Sequence, residues 1–226
     1  MEKDMNSKKI ILSLILFIMY WAIITDAWGY SDFIFKNNAY NIGKYIYGYV
    51  TRILWVIPAI LLIVKHSENL SIDRIKLFSS PKINKSLISV LVLSIGYVFV
   101  SMILVHKGFF LNRNDILLLV IIKFLVVGFV EETVFRGWGY NALIQKMSHI
   151  KATSITTALF VILHWPAYFI KFARLGTFDF AGMIGQSTAA LCWGVICCWL
   201  LKKGKTIWNP IIAHGMYDLT YVLLVG

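Results

Sequence analysis

The stretch SLISVLVLSIGYVFVSMILV, residues 86–105, decides the fold class: its twenty residues include no charged side chain. At a rise of about 1.5 Å per residue, such a run makes a helix of about 30 Å, the thickness of a bilayer's hydrocarbon core. Runs of the same character lie near 10–28, 42–64, 115–137, 152–170, 182–201 and 207–225. Together they predict an all-α chain, a polytopic membrane bundle of about seven transmembrane helices. Composition agrees. Of 226 residues, 59% are apolar and 15% charged, and the mean hydropathy is +0.74. Soluble domains run at about 45–50% apolar and about 25% charged. A soluble single-domain enzyme, a disordered chain and a coiled coil are excluded.

Charge gives the expected orientation. The net charge is +11, and the basic residues sit between the apolar runs. That pattern suits loops facing anionic lipid and argues against a nucleic-acid partner. Fourteen of the 22 Lys and Arg fall at the N-terminus, in the loops after the second and sixth runs, or at the end of the fourth run and after it. Six fall on the other side, while Arg52 and Lys123 lie within runs. The bias predicts a cytoplasmic N-terminus for an integral, multi-pass protein, expected in a bacterial plasma membrane. Lys123 either snorkels outward or pairs internally. The first run, after Lys8 and Lys9, lacks a small-residue cleavage site and reads as a retained anchor.

The longest polar stretch, Lys65 to Lys85, divides the chain into residues 1–85, two spans and a cytoplasmic loop, and residues 86–226, a core with its motifs in 128–218. Cys192, Cys197 and Cys198 share one apolar run and read as packing residues, not as disulfide partners. Gly185 and Ala189, and Ala190 and Gly194, are spaced to let helices approach closely.

The informative residues are polar ones inside apolar runs. Glu131, Glu132 and Arg136 lie late in the fourth, His164 in the fifth, His214 and Asp218 in the seventh. Three unpaired carboxylates in a bilayer would cost about 8–10 kcal/mol. Pairing, a wet cavity or protonation must offset that. Glu132 and Arg136, four apart, share a helix face and can pair. Glu131 points about 100° away, with no partner on its own helix. A lone buried histidine such as His164 is ordinarily a hydrogen-bonded core residue. His214 and Asp218 are also four apart, so the acid can orient the ring, or both can ligate a metal. Three runs that each bring a His or an acid into the membrane point instead to one shared cavity. Pro166 is expected to kink or end its helix beside His164. Pro210 falls in a first turn, where proline is tolerated.

In this order, Glu131-Glu132-x-x-x-Arg136, Phe160-x-x-x-His164 and His214-x-x-x-Asp218 resemble the CPBP family of intramembrane proteases. This is the CAAX-protease and bacteriocin-processing family, also called Abi. The flanks Phe135-Arg136-Gly137-Trp138 and Trp208-Asn-Pro-Ile-Ile-Ala-His214 resemble it too. The resemblance spans about residues 115–226 and leaves the first three runs uncovered. It implies an intramembrane endopeptidase acting on a membrane-associated peptide or protein, by CAAX-type or leader-peptide processing. It implies catalytic roles for Glu131, as base, and for His164, His214 and Asp218, with Glu132 and Arg136 bracing the site. The family carries Asn or Asp at the place of Asp218, and an ionised Asp cannot donate to an oxyanion. No cofactor is favoured. The alternative is zinc on Glu131, His164, His214 and Asp218, although no His-Glu-x-x-His is present. The competing functions are a non-catalytic membrane immunity or scaffold protein of the same fold, and a proton-coupled transporter. The oligomeric state is left open.

Overall fold

The computed structural model describes residues 6–34, 42–104 and 126–225, and among them there is no strand. Helix α1 spans Ser7–Ile34, α2 Ile42–Lys65, the short α3 Arg74–Leu77 and α4 Lys85–Leu104. A continuous rod follows, made of α5 (Gly128–Glu132), a π-helical segment (Thr133–Tyr140) and α6 (Asn141–Leu143). Helices α7 (His149–Leu175), α8 (Phe180–Gly204) and α9 (Trp208–Val225) complete the chain. Among the described residues, five segments are long and apolar enough to cross a membrane: Ser7–Thr25, Gly48–Lys65, Lys85–Leu104, His149–Leu175 and Phe180–Gly204. The start of the fourth apolar run, with Lys107, Arg113 and Lys123, lies outside the described residues.

The rod is the axis of the bundle. All eight residues of Thr133–Tyr140 are buried, as befits an element packed on every side. Helices α1, α2, α7, α8 and α9 surround it in one apolar core. Trp138 donates from Nε1 to Ser13 Oγ on α1 at 2.9 Å. Phe135 packs between Trp55 of α2 and Phe160 of α7, with ring centroids 6.4 and 5.2 Å away. Gly139 lets α1 come close, because a Cβ there would lie 2.8 Å from Leu14. Helices α7 and α8 meet in the same way, since a Cβ on Gly194 would run into the Thr157 side chain. The small-residue spacing thus works at Gly194, whereas Gly185 faces open space.

The outer face is apolar. Leu16, Ile23, Leu61, Leu93 and Leu104 are each more than half exposed, more apolar surface than a water-soluble monomer shows. Helix α7 does not end at Pro166 but continues to Leu175. A helix in apolar surroundings tolerates the missing N–H because its neighbouring bonds hold.

The polar stretch after α2 is stapled across one end of the bundle. Asn141 grips Ile72 from both sides, accepting from its N–H and donating to its carbonyl, each at 2.8 Å. Asn209 grips Lys82 in the same way, each bond at 2.9 Å. Thr206 donates to Ser79 O at 2.6 Å, and Ile207 N to Leu77 O at 2.8 Å. These bonds draw the chain between α2 and α4 over the starts of α6 and α9. The close approach of Asn209 also needs Gly204, where a Cβ would lie 2.6 Å from its Nδ2. The left-handed turn that ends α8 falls instead to Lys205, at φ 59°.

Asn209 is fully buried. Asn209→Ala strips both partners from the Lys82 backbone, and stability is expected to fall by about 1–3 kcal/mol. Thermal unfolding in detergent reads the loss, and Asn209→Asp should recover less than half of it, because Asp cannot donate to the Lys82 carbonyl.

Candidate active site

Two backbones touch where the rod meets α9. A Cβ on Gly128 would lie 3.1 Å from Ile211 O and 3.3 Å from Gly215 N. This contact sets Glu132 against His214. Glu132 Oε1 accepts from His214 Nδ1 at 2.8 Å and from Arg136 Nη1 at 3.2 Å. Glu132 and Arg136 are fully buried, and His214 is 6% exposed. The Arg136 guanidinium also lies over the Phe160 ring, 4.3 Å from its centroid. The pair expected from the four-residue spacing is present, and it reaches one helix further than the spacing shows.

The acid that orients His214 is therefore Glu132, not Asp218. Asp218 shares the helix face with His214, but its Oδ2 lies 3.9 Å from Nε2, beyond hydrogen-bond length. The ring turns Nδ1 into the rod, where the buried carboxylate accepts its proton. Trp193 holds the ring from the other side, stacked at 6.1 Å and 13°.

Glu131 leaves the rod about 100° from Glu132, as helix geometry requires. Its Oε2 lies 4.0 Å from His214 Nε2, and its side chain is 12% exposed. It lines a cavity of about 250 Å³ together with His164, Leu163 and Ala167. His164 hydrogen-bonds through Nδ1 to Phe160 O at 2.8 Å. A carbonyl only accepts, so Nδ1 carries a proton, and in the neutral ring Nε2 is the nitrogen with the lone pair. The Phe160 ring stands edge-on between the histidines, 5.0 Å from His164 and 6.0 Å from His214. Glu131 and His164 share the cavity. His214 borders it through Glu131, and Asp218 lies beyond His214.

The rest of that cavity comes from the first two helices. Trp21, Ile24 and Thr25 of α1 and Thr51 and Arg52 of α2 form its other wall. None of these drew notice in the sequence except Arg52, as a basic residue inside an apolar run. A lone guanidinium in such a run was the available signal. Among the described residues, no three His, Cys, Asp or Glu side chains converge as metal ligands.

Glu132→Ala leaves the Arg136 cation buried without its counter-charge. A loss of about 3–5 kcal/mol is expected, as for breaking one side of a buried pair. Adding Arg136→Met to the same chain should restore most of the melting temperature, since a buried pair replaced by apolar groups is often neutral. Unfolding curves of the single and double variants check this.

Residues 113–220 match the family model described as type II CAAX prenyl endopeptidase Rce1-like. No curated protein and no solved structure matches the chain. The matched region holds all six polar residues of the ordered motifs, from Glu131 to Asp218. With five helices of membrane-crossing character among the described residues, the chain is an integral membrane protein whose residues 113–220 are similar to the type II CAAX prenyl endopeptidases.

Proposed function

We propose that the protein hydrolyses a peptide bond in a membrane-associated peptide or protein, with Glu131 as the general base. The observation that carries this reading is the meeting of Glu131 and His164 in one cavity, with His214 Nε2 4.0 Å from Glu131. Glu131 and the His164 Nε2 lone pair both accept hydrogen bonds. A water held by both has its two protons engaged and its own lone pair free for a carbonyl carbon. Glu131 takes the first proton as the water attacks. The tetrahedral oxyanion then meets Nε2–H of His214 in its imidazolium form, and Glu132 fixes the ring through Nδ1. Glu131 next delivers its proton to the departing amide nitrogen, which breaks the C–N bond. Arg136 and Phe160 act by holding Glu132 and the two imidazoles in place.

The same reading takes the rod and α9 as the remaining two of seven spans. It places the N-terminus in the cytoplasm and the C-terminus outside. In its support, the loops rich in Lys and Arg lie at one end of the bundle, joined by the bonds of Asn141, Thr206 and Asn209. The reading assigns the chemistry to Glu131 and no metal.

Purified protein incubated with membrane-type peptides tests the function, with mass spectrometry of the products. Glu131→Gln should lose about 10²–10⁴-fold in rate, the range for a general base. His214→Ala should lose about 10²–10³-fold, the range for an oxyanion donor. Both variants should insert into the membrane as the parent does. Full activity in either removes that residue from the mechanism.

Asp218→Asn separates the chemistries. In a glutamate-based site it retains most of the activity, and chelators leave turnover unchanged. Loss of activity by orders of magnitude, restored by added zinc, would overturn the metal-free assignment.

A further inference from the structure

Arg52 is a cation in the middle of an apolar helix. It lies ten residues into α2, about 15 Å from the start at 1.5 Å per residue. Among the side chains that the structure describes, no carboxylate comes within salt-bridge distance of it. Its Nη1 donates to Gly48 O at 3.1 Å. Its guanidinium carbon stands 5.4 Å from the centroid of the Trp21 ring. These contacts fix the plane and leave Nε and Nη2 with no protein acceptor among the described residues. The group lines the cavity that also holds Glu131 and His164, close enough to Glu131 for their charges to interact. Keeping a charge at this depth is costly unless something pairs with it.

We propose that Arg52 is the anchor of a carboxylate-binding subsite, built by α1 and α2, that holds an acidic group of the substrate beside the scissile bond. The inference rests on the peptidase reading of the cavity and names what that cavity selects. A guanidinium with one edge free matches a carboxylate in a two-point bond. The Trp21 face holds the fork flat, so little freedom is lost on binding. Leu163 and Ala167 make the adjoining wall apolar, which suits a membrane peptide with one acidic end. The carboxylate is either the chain's own C-terminus or an Asp or Glu side chain close to the cut.

The test uses three fluorescent peptides of one sequence: one with a free C-terminal carboxylate, one with a C-terminal amide, and one amidated with a Glu near the cut. Anisotropy gives the affinity of each for the full-length protein in detergent, and product analysis gives KM and kcat. The acidic peptides should bind at least tenfold more tightly than the plain amide, and whichever acid wins identifies the source. Arg52→Met should remove that preference, acting on KM more than on kcat. Arg52→Lys should keep part of it, and its melting curve shows that the fold survives a change at this position.

Equal affinity for all three peptides in the parent protein would overturn the proposal, as would a preference that persists in Arg52→Met. An equal fall in kcat for every peptide would also overturn it, since Arg52 would then act on Glu131 alone. Binding is read without cleavage. A carboxylate preference with no product would therefore sink the peptidase reading and leave the subsite standing.

Discussion

Everything near the cavity depends on one buried carboxylate oxygen. Glu132 Oε1 holds Arg136 at 3.2 Å and His214 at 2.8 Å, and both carboxylate and guanidinium are fully buried. A charge there is tolerable only while its partners are in place. The bond also ties the central rod to α9 across 82 residues of sequence. Two features far apart in sequence serve it. Gly128 allows the rod and α9 to touch, and the Phe160 ring, under Arg136 and between both histidines, fills the space behind. Adjacent glutamates can then do different things. Glu132 is spent on the structure, while Glu131, turned one helical step away, is left facing the cavity.

The first two helices belong to the same arrangement. They lie outside the region matched by the family model, residues 113–220, yet they pack on the rod through Ser13, Leu14 and Trp55 and close one side of the cavity. The matched region carries the acids and histidines. The unmatched helices decide the shape and charge of the space before them. On the proposed reading, chemistry and selectivity are divided along the chain. A relative could keep Glu131 and His164 while accepting another substrate through changes in α1 and α2 alone.

Much of this was legible in the sequence because its causes are local. Apolar runs of about twenty residues mark helices whatever lies around them. The spacing of Glu132 and Arg136 puts them on one face, and no distant contact was needed to expect the pair. A shared cavity for His164, His214 and Glu131 was to be expected because three runs each bring a His or an acid into the membrane. What could not be read depends on direction or on distant partners. Spacing puts Asp218 beside His214 but does not say which way the ring turns, and Glu132 claimed Nδ1. The π-helical turn at Thr133–Tyr140 arises from packing on all sides, which no propensity encodes. The stretch from Lys65 to Lys85 reads as a polar divider because the asparagines that grip its backbone, Asn141 and Asn209, lie more than sixty residues on. Arg52 was visible as a charge, but its cavity became visible only when four helices were brought together.

The central claim is that Glu131 activates water without itself being attacked or attacking. A single turnover in water enriched in oxygen-18, with enzyme in excess over a cleavable peptide, tests it directly by mass spectrometry of product and protein. The account expects one heavy oxygen in the new carboxylate of the released fragment and none in the enzyme peptide that contains Glu131. Heavy oxygen in that enzyme peptide would show a covalent intermediate on Glu131 and contradict the account, as would a preparation that releases no fragment from any membrane peptide.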